Sequence, residues 1–273
     1  MQYASRPRTR AQEEERKKNK KWYERFYGGD RLDLRLKERD TRLIEALAPE
    51  NPKTIVSIIA GSAVTMEEWK DRAPGILLMW YAGMEGGNAL ANVLFGEVNP
   101  SGKLPFTIPK TMEQLPYFDA FTEEIEYGYY HGYTLFDKEN KEAAFPFGYG
   151  LSYTAFTYDS LKALTPAAGS EGEIKFSVQV ANTGSRPGAE VTQLYIGFAN
   201  SAVDRPVKLL RAFAKTELAA GESKTIELTV PVKDLAWYNP ETGNWEVERM
   251  AYEVYVGGSS RAEDLLRGGF AVE

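Results

Sequence analysis

Cysteine is absent from the chain, and histidine occurs once, as His131. Without thiols there is no structural disulfide, no thiolate nucleophile and no sulfur-ligated metal. A single imidazole excludes the multi-histidine sites on which many metalloenzymes are built, so neither a metal nor a cofactor is expected. The lack of cysteine does not by itself fix a compartment, because secreted bacterial proteins often lack it too. Long apolar runs are also missing. The stretch from Met1 to Trp22 is rich in Arg, Lys, Glu and Gln, and no segment is long enough to span a bilayer or form a signal-peptide core. The chain as written therefore reads as cytoplasmic, with no membrane partner.

What is present is ordinary globular composition. Apolar residues make up 43% and charged residues 26%, which excludes wholesale disorder. The 273 residues suffice for two domains, each with its own core. Charge is uneven: residues 1–42 carry a net +6 and the remainder a net −12. A basic arm can contact nucleic acid or anionic lipid. Here, however, Glu13, Glu14 and Glu15 precede Arg16, Lys17, Lys18, Lys20 and Lys21, the charge order that a solvated helix prefers. No nucleic-acid motif accompanies it, and no nucleic-acid partner is expected.

From about Arg39 the pattern turns to α/β. Leu43, Ile44 and Leu47 have helical spacing, and Asn51-Pro52 closes the helix. Thr54-Ile55-Val56-Ser57-Ile58-Ile59 reads as a parallel strand buried on both faces, and Gly75 to Tyr81 as a second one, with a helical segment near Met66 to Lys70 between them. A helix over Asn88 to Phe95 and a turn at Asn99-Pro100-Ser101-Gly102 follow. The aromatic-rich stretch from Pro109 to Phe147, with Tyr117, Phe118, Phe121, Tyr127, Tyr129, Tyr130 and Tyr133, has no clear period and reads as a long ordered loop with short strands. Beyond Ala155 strict alternation takes over, with Ile174, Phe176, Val178 and Val180 on one face. Further strands over Val191 to Phe198, Ser223 to Val230 and Ala251 to Val256, separated by glycine-bearing turns, predict a fibronectin type III-like β-sandwich.

Five stretches in order carry a resemblance: Gly28-Gly29-Asp30-Arg31; Gly61-Ser62-Ala63-Val64-Thr65-Met66; Trp80-Tyr81-Ala82-Gly83-Met84-Glu85-Gly86-Gly87; Asn99-Pro100-Ser101-Gly102-Lys103-Leu104-Pro105; and Phe145-Pro146-Phe147-Gly148-Tyr149-Gly150-Leu151-Ser152-Tyr153. Together they resemble the C-terminal part of glycoside hydrolase family 3 β-glucosidases, from Gly28 to the end of the chain. The resemblance implies a fold of the α/β plus all-β class, a partial α/β sandwich followed by a fibronectin type III-like β-sandwich. The expected division is a basic helical extension over 1–27, the partial sandwich over 28–157 and the β-sandwich over 158–273. Members of the family are often periplasmic or secreted.

Retaining glycosidases need two carboxyl groups about 5–5.5 Å apart, one as nucleophile and one as acid/base. The resemblance places the nucleophile on an N-terminal (β/α)8 barrel, for which the 27 residues before Gly28 leave no room. It places the acid/base directly before the Gly-Gly-Asp-Arg motif, where this chain has Tyr27, a phenol poorly suited to the task at its usual pKa. Glu24 is then the candidate acid/base, and only if a barrel complements the chain. Ser62 lacks the Gly-x-Ser-x-Gly context of a nucleophile elbow, Glu85 suits capping of the following helix, and Gly86-Gly87 lacks a phosphate-loop lysine. Tyr129 and Tyr130 are the candidate sugar-stacking residues, against packing between domains.

Three readings stand. The chain is a truncated β-glucosidase-like protein, inactive alone towards terminal β-D-glucosides; or it complements a separately encoded barrel subunit; or it is a non-catalytic carbohydrate-binding or scaffold module for β-glucosides or other glycans. Residues 28–157 supply too few strands for a full sandwich, so an exposed sheet edge and self-association through it are expected.

Overall fold

The computed structural model describes residue 14, residues 33–117 and residues 124–273. Glu24, Tyr27, the Gly28-Gly29-Asp30-Arg31 motif, Phe118, Phe121 and the 1–27 extension other than Glu14 lie outside the described residues.

The first part is α/β. Helix α1 (Glu38–Leu47) opens with Glu38 and Asp40 in its first turn, where carboxylates favour the helix dipole. Strands β1 (Ile55–Ile58) and β2 (Gly75–Leu78) pair in parallel, from Ile55↔Gly75 to Ile58↔Leu78. One small core lies against them, built on Ile58, Val64, Met66, Trp69 and Ile108, with Ile44, Val56, Ile76 and Leu78 packed around it. The expectation of β1 buried on both faces is corrected: Ile55 is 48% and Ile59 70% exposed. Parallel sheets are normally covered on both sides, and among the described residues this one has two strands and a single packed face. For the same reason Leu43 and Leu47 of α1 are exposed while Ile44 reaches the core.

The segment read as helical near Met66 is a turn closed by Met66 O, which accepts from Trp69 N and Lys70 N, running into a 3₁₀ turn at Lys70–Arg72. Beyond β2, Trp80 has φ 54°, a left-handed conformation rare for a bulky residue, with its ring edge-on to Phe106 at 5.3 Å. Helix α2 (Gly86–Leu94) follows. The aromatic stretch contains an element that the sequence reading missed, helix α3 (Gly132–Lys138), entered through Gly132 at φ +52°. At its start the Thr134 hydroxyl accepts from His131 N and donates to His131 O.

The second part is a β-sandwich. Strands β3 (Phe156–Ala163), β4 (Ala167–Ala168), β5 (Glu173–Asn182), β6 (Gly188–Gly197), β7 (Lys208–Leu218) and β8 (Ser223–Pro231) are followed by a small hairpin, β9 (Trp237–Asn239) with β10 (Asn244–Glu246), and then by β11 (Ala251–Gly257) and β12 (Leu265–Val272). One sheet runs β4-β12-β11-β6-β7 and the other β3-β5-β8. Alternation works as expected in β5, whose Ile174, Phe176, Val178 and Val180 enter a core shared with Leu194, Ile196, Val254, Val256 and Phe270. The stretch 165–170 contains β4, paired in parallel with the end of β12.

The two parts are joined by a polar seam. Lys103 lies between Gly150 O and the Glu190 carboxylate of β6, which also accepts from Tyr158 OH at 2.8 Å. The Lys103 and Glu190 side chains are only 14% and 6% exposed. Gln193 Nε2 donates to Gly148 O and Gly258 O, and Asn99 links Pro187 O to Ser152 and Tyr153. At α3, Lys208 of β7 meets Asp137 at 2.6 Å, and Leu210 N donates to Tyr133 OH. Burial raises the Asp137 carboxyl above its ordinary pKa, with Lys208 opposing the shift. Gly150 leaves no room: a Cβ there would stand 2.2 Å from Gly102 O, whereas one on Gly87 in α2 meets nothing within 4 Å.

Two outcomes follow in unfolding experiments. Gly150→Ala should cost about 1–3 kcal/mol by forcing the seam apart, whereas Gly87→Ala should be neutral or stabilising by up to about 1 kcal/mol; equal urea midpoints for the two variants would refute the seam geometry. Lys208→Met should cost about 3–5 kcal/mol at neutral pH because it leaves the Asp137 charge buried and unpaired. The folded state of that variant holds the Asp137 proton more tightly than the unfolded state does. Stability therefore falls as pH rises from the unfolded carboxylate range, about pH 4, through the raised folded value, and acidification recovers part of the loss. Urea titrations across that range, with Lys208→Met/Asp137→Leu as the control that removes both charges, read the effect directly.

Candidate functional site

A candidate pocket sits where α3 and the Phe147 turn meet the β-sandwich. It is a cavity of about 370 Å³ walled by Pro105, Phe106, Phe147, Pro206 and Leu209, by the rings of Tyr129 and Tyr133, and by Thr107, His131 and Thr134. Apolar walls with a few polar groups at a domain junction are the usual anatomy of a small-ligand site. The walls are held from three directions. Tyr133 stacks at a tilt on Phe147 at 4.9 Å and edge-on to Tyr195 at 5.9 Å, and the fully buried Tyr195 donates to Gln193 Oε1 at 2.6 Å. Burial pushes the Tyr133 hydroxyl above its usual pKa.

The two tyrosines singled out in the sequence have separate fates. Tyr129 lines the pocket and is 63% exposed. Tyr130, edge-on to it at 5.0 Å, is turned to the sandwich: its hydroxyl donates to Asp204 at 2.7 Å and Lys138 lies 3.8 Å over its ring. Desolvation is the main reason its hydroxyl pKa is raised. Glu85 does not cap α2 through its side chain; its carboxylate instead accepts from Asn88 Nδ2 at 2.6 Å, one turn along. Glu24 and Tyr27 lie outside the described residues.

Thr107, Arg205 and Arg211 were not anticipated from the sequence. Thr107 Oγ1, Arg205 Nη1 and Arg211 Nε are buried and without a hydrogen-bond partner. Alternation would have turned Arg211 to solvent, but β7 carries a bulge: Leu194 and Tyr195 pair with Ala212 and Leu210, so Arg211 is the extra residue. Bulges re-aim side chains.

No carboxylate lines this pocket. A second, smaller groove of about 280 Å³ does present Glu263 and Asp264 beside Tyr158, but Asp264 is already engaged by Ser259 Oγ and Arg261. Among the described residues no cluster of three or more His, Asp or Glu side chains has the makings of a metal site, and no helix is long and apolar enough to cross a membrane.

Comparison with known proteins places this geometry. Residues 6–153 match the glycosyl hydrolase family 3 C-terminal domain, and residues 190–260 match a fibronectin type III-like domain. Among curated relatives, beta-glucosidase BoGH3A of Bacteroides ovatus is 38% identical over 89% of this chain, which covers 34% of that protein. Among solved structures, beta-D-glucoside glucohydrolase from Trichoderma reesei superposes with a TM-score of 0.82 at 32% identity, over 90% of this chain and 37% of that one. Beta-glucosidase 3B from Thermotoga neapolitana, in complex with alpha-D-glucose, gives 0.79 at 38% identity, over 89% and 35%. The chain thus spans about a third of the length of the relatives it matches. Its partial α/β sandwich, the seam motifs from Asn99 to Tyr153 and the β-sandwich after them all agree with these matches, and the chain belongs to glycosyl hydrolase family 3, carrying its C-terminal domain followed by a fibronectin type III-like domain.

Proposed function

We propose that this chain forms one wall of a β-glucosidase-type hydrolase acting on terminal β-D-glucosides, and that by itself it does not hydrolyse them. The nucleophile belongs to a barrel outside this sequence, on a partner subunit or elsewhere in a longer polypeptide. One observation carries the reading: among the described residues, the two-stranded parallel sheet β1–β2 has an exposed face and unpaired edges. Around it Ile55, Ile59, Tyr81, Met84 and Phe95 are exposed, Met84 completely. Isolated two-stranded sheets of this kind are not independently stable, and exposed apolar surface on this scale marks a contact surface. The names of the relatives support the substrate class.

The chemistry points the same way. Retention requires two carboxyl groups about 5–5.5 Å apart across a sugar, and the pocket between α3 and the β-sandwich is lined by none. Glu24 is the carboxylate we assign to protonating the leaving oxygen once a barrel is in place. The same open edges favour a second reading, self-association, which gel filtration of the pure chain distinguishes.

The direct test is aryl β-glucoside hydrolysis by the pure chain, by the chain mixed with a separately produced family 3 barrel, and by Glu24→Gln in both settings. The expected outcome is no turnover alone and turnover in the mixture, reduced by about 10²–10⁴-fold in Glu24→Gln, the usual contribution of a general acid. Met84→Glu should weaken assembly without unfolding the chain. Turnover by the pure chain that disappears in Glu24→Gln would show that both carboxyl groups reside here.

A further inference from the structure

The pocket between α3 and the β-sandwich is rich in rings and poor in usable polar groups. Phe106 and Phe147 line it from the α/β side, Tyr129 and Tyr133 from the aromatic segment, and Pro206 and Leu209 from the sandwich. Among the described residues no lysine, arginine, aspartate or glutamate lines it. The rings are in place before any ligand arrives. Phe106 is edge-on to Trp80 at 5.3 Å, Phe147 packs on Tyr133 at 4.9 Å, and Tyr133 in turn meets Tyr195 at 5.9 Å. Tyr129 is edge-on to Tyr130 at 5.0 Å, and Tyr130 is itself fixed by Asp204 and Lys138. Walls set in advance lower the ordering cost of binding.

The hydroxyls along the wall are mostly engaged within the protein. That of Thr134 is bonded both ways to the His131 backbone, and that of Tyr133 accepts from Leu210 N. Thr107 Oγ1 is shielded from solvent and so lies out of a guest's reach. Tyr129 and His131, at the start of α3, are the exposed lining residues with polar side chains.

This shortage decides between two kinds of ring. A pyranose carries a hydroxyl on nearly every carbon, and each one buried without a partner weakens binding about five- to 150-fold. A benzene ring strands no polar group, and its faces and edges match aromatic walls. In charge, too, a wall without ionised side chains complements an uncharged guest, since an unpaired buried charge is costlier than a hydroxyl. A volume of about 370 Å³ lies near the lower end of ligand pockets and suits one ring with a short substituent. We infer that the pocket binds a neutral single-ring phenol or aromatic alcohol, with its ring among Phe106, Tyr129, Tyr133 and Phe147 and its hydroxyl toward the open side, where Tyr129 and His131 stand. The inference rests on the pocket alone and is independent of the hydrolase reading.

NMR titration of the untagged full chain with benzyl alcohol, phenol and D-glucose tests it. His131 is the single histidine of the chain, so its ring protons are a unique reporter at the pocket wall. They should shift on addition of either aromatic with a Kd in the millimolar range, as about eight non-hydrogen atoms allow, and at least about tenfold more tightly than with glucose. Tyr129→Ala, at a residue 63% exposed, should weaken benzyl alcohol about tenfold. Trp245→Ala, which removes a similarly exposed ring from the β9–β10 hairpin, should leave the affinity as it was. Should Tyr129→Ala also lower the unfolding temperature, the His131 shifts of the parent chain decide. The inference is overturned by unmoved His131 signals up to roughly 20 mM aromatic, by glucose binding as tightly as benzyl alcohol, by undiminished binding in a stable Tyr129→Ala, or by binding lost in Trp245→Ala instead.

Discussion

The Lys103–Glu190 pair is the contact on which the arrangement of the two parts depends. It takes a cation from the turn after α2 and an anion from near the start of β6, and places both where water hardly reaches. Such a pair is worth little unless its remaining hydrogen-bonding capacity is met. Here Gly150 O accepts a second bond from the ammonium and Tyr158 donates a second one to the carboxylate. The pair thus fixes α/β chain, Phe147 turn and two sandwich strands at one point, and burial beside Glu190 holds the Tyr158 hydroxyl far above the range in which it would ionise. Beside the pocket, the Asp137–Lys208 and Tyr133–Leu210 contacts hold α3 against β7.

The division between the halves is energetic as well as topological. The sandwich encloses a continuous core in which Ile174, Val180, Leu194, Ile196 and Val256 have no exposure at all. The α/β part has five buried apolar residues at its centre and a ring of partly buried ones. By area alone the first is self-sufficient and the second leans on its neighbours. That imbalance agrees with a chain that covers about a third of its relatives.

How far the sequence could be read depended on whether a signal was local. The alternation of β5 is local, since each residue's face follows from its neighbours, and the structure matches it down to the buried quartet from Ile174 to Val180. The β-branched run at Ile55 to Ile59 marked a strand correctly but not its surroundings, because whether a second face is covered is decided by distant chain. Helix α3 escaped notice: seven residues are too few to show a period amid tyrosines, and its opening glycine resembles a turn. Tyr129 stands beside the pocket, whereas Tyr130 is tied up by Asp204, 74 positions away. Arg211 was not legible at all, since a bulge in a ladder depends on the register of the partner strand.

The seam is made largely from main-chain carbonyls. Gly148 O, Gly150 O, Gly258 O, Pro187 O and Phe147 O supply its acceptors, and glycine stands where a side chain would intrude on Gly102 or Gln193. Every residue type offers a carbonyl, so most positions along this boundary are free to change as long as the few glycines and long polar side chains remain. Such a boundary tolerates exchange: the β-sandwich of one family member can be recombined with the α/β domain of another, and lineages are free to diversify each half separately without rebuilding the joint.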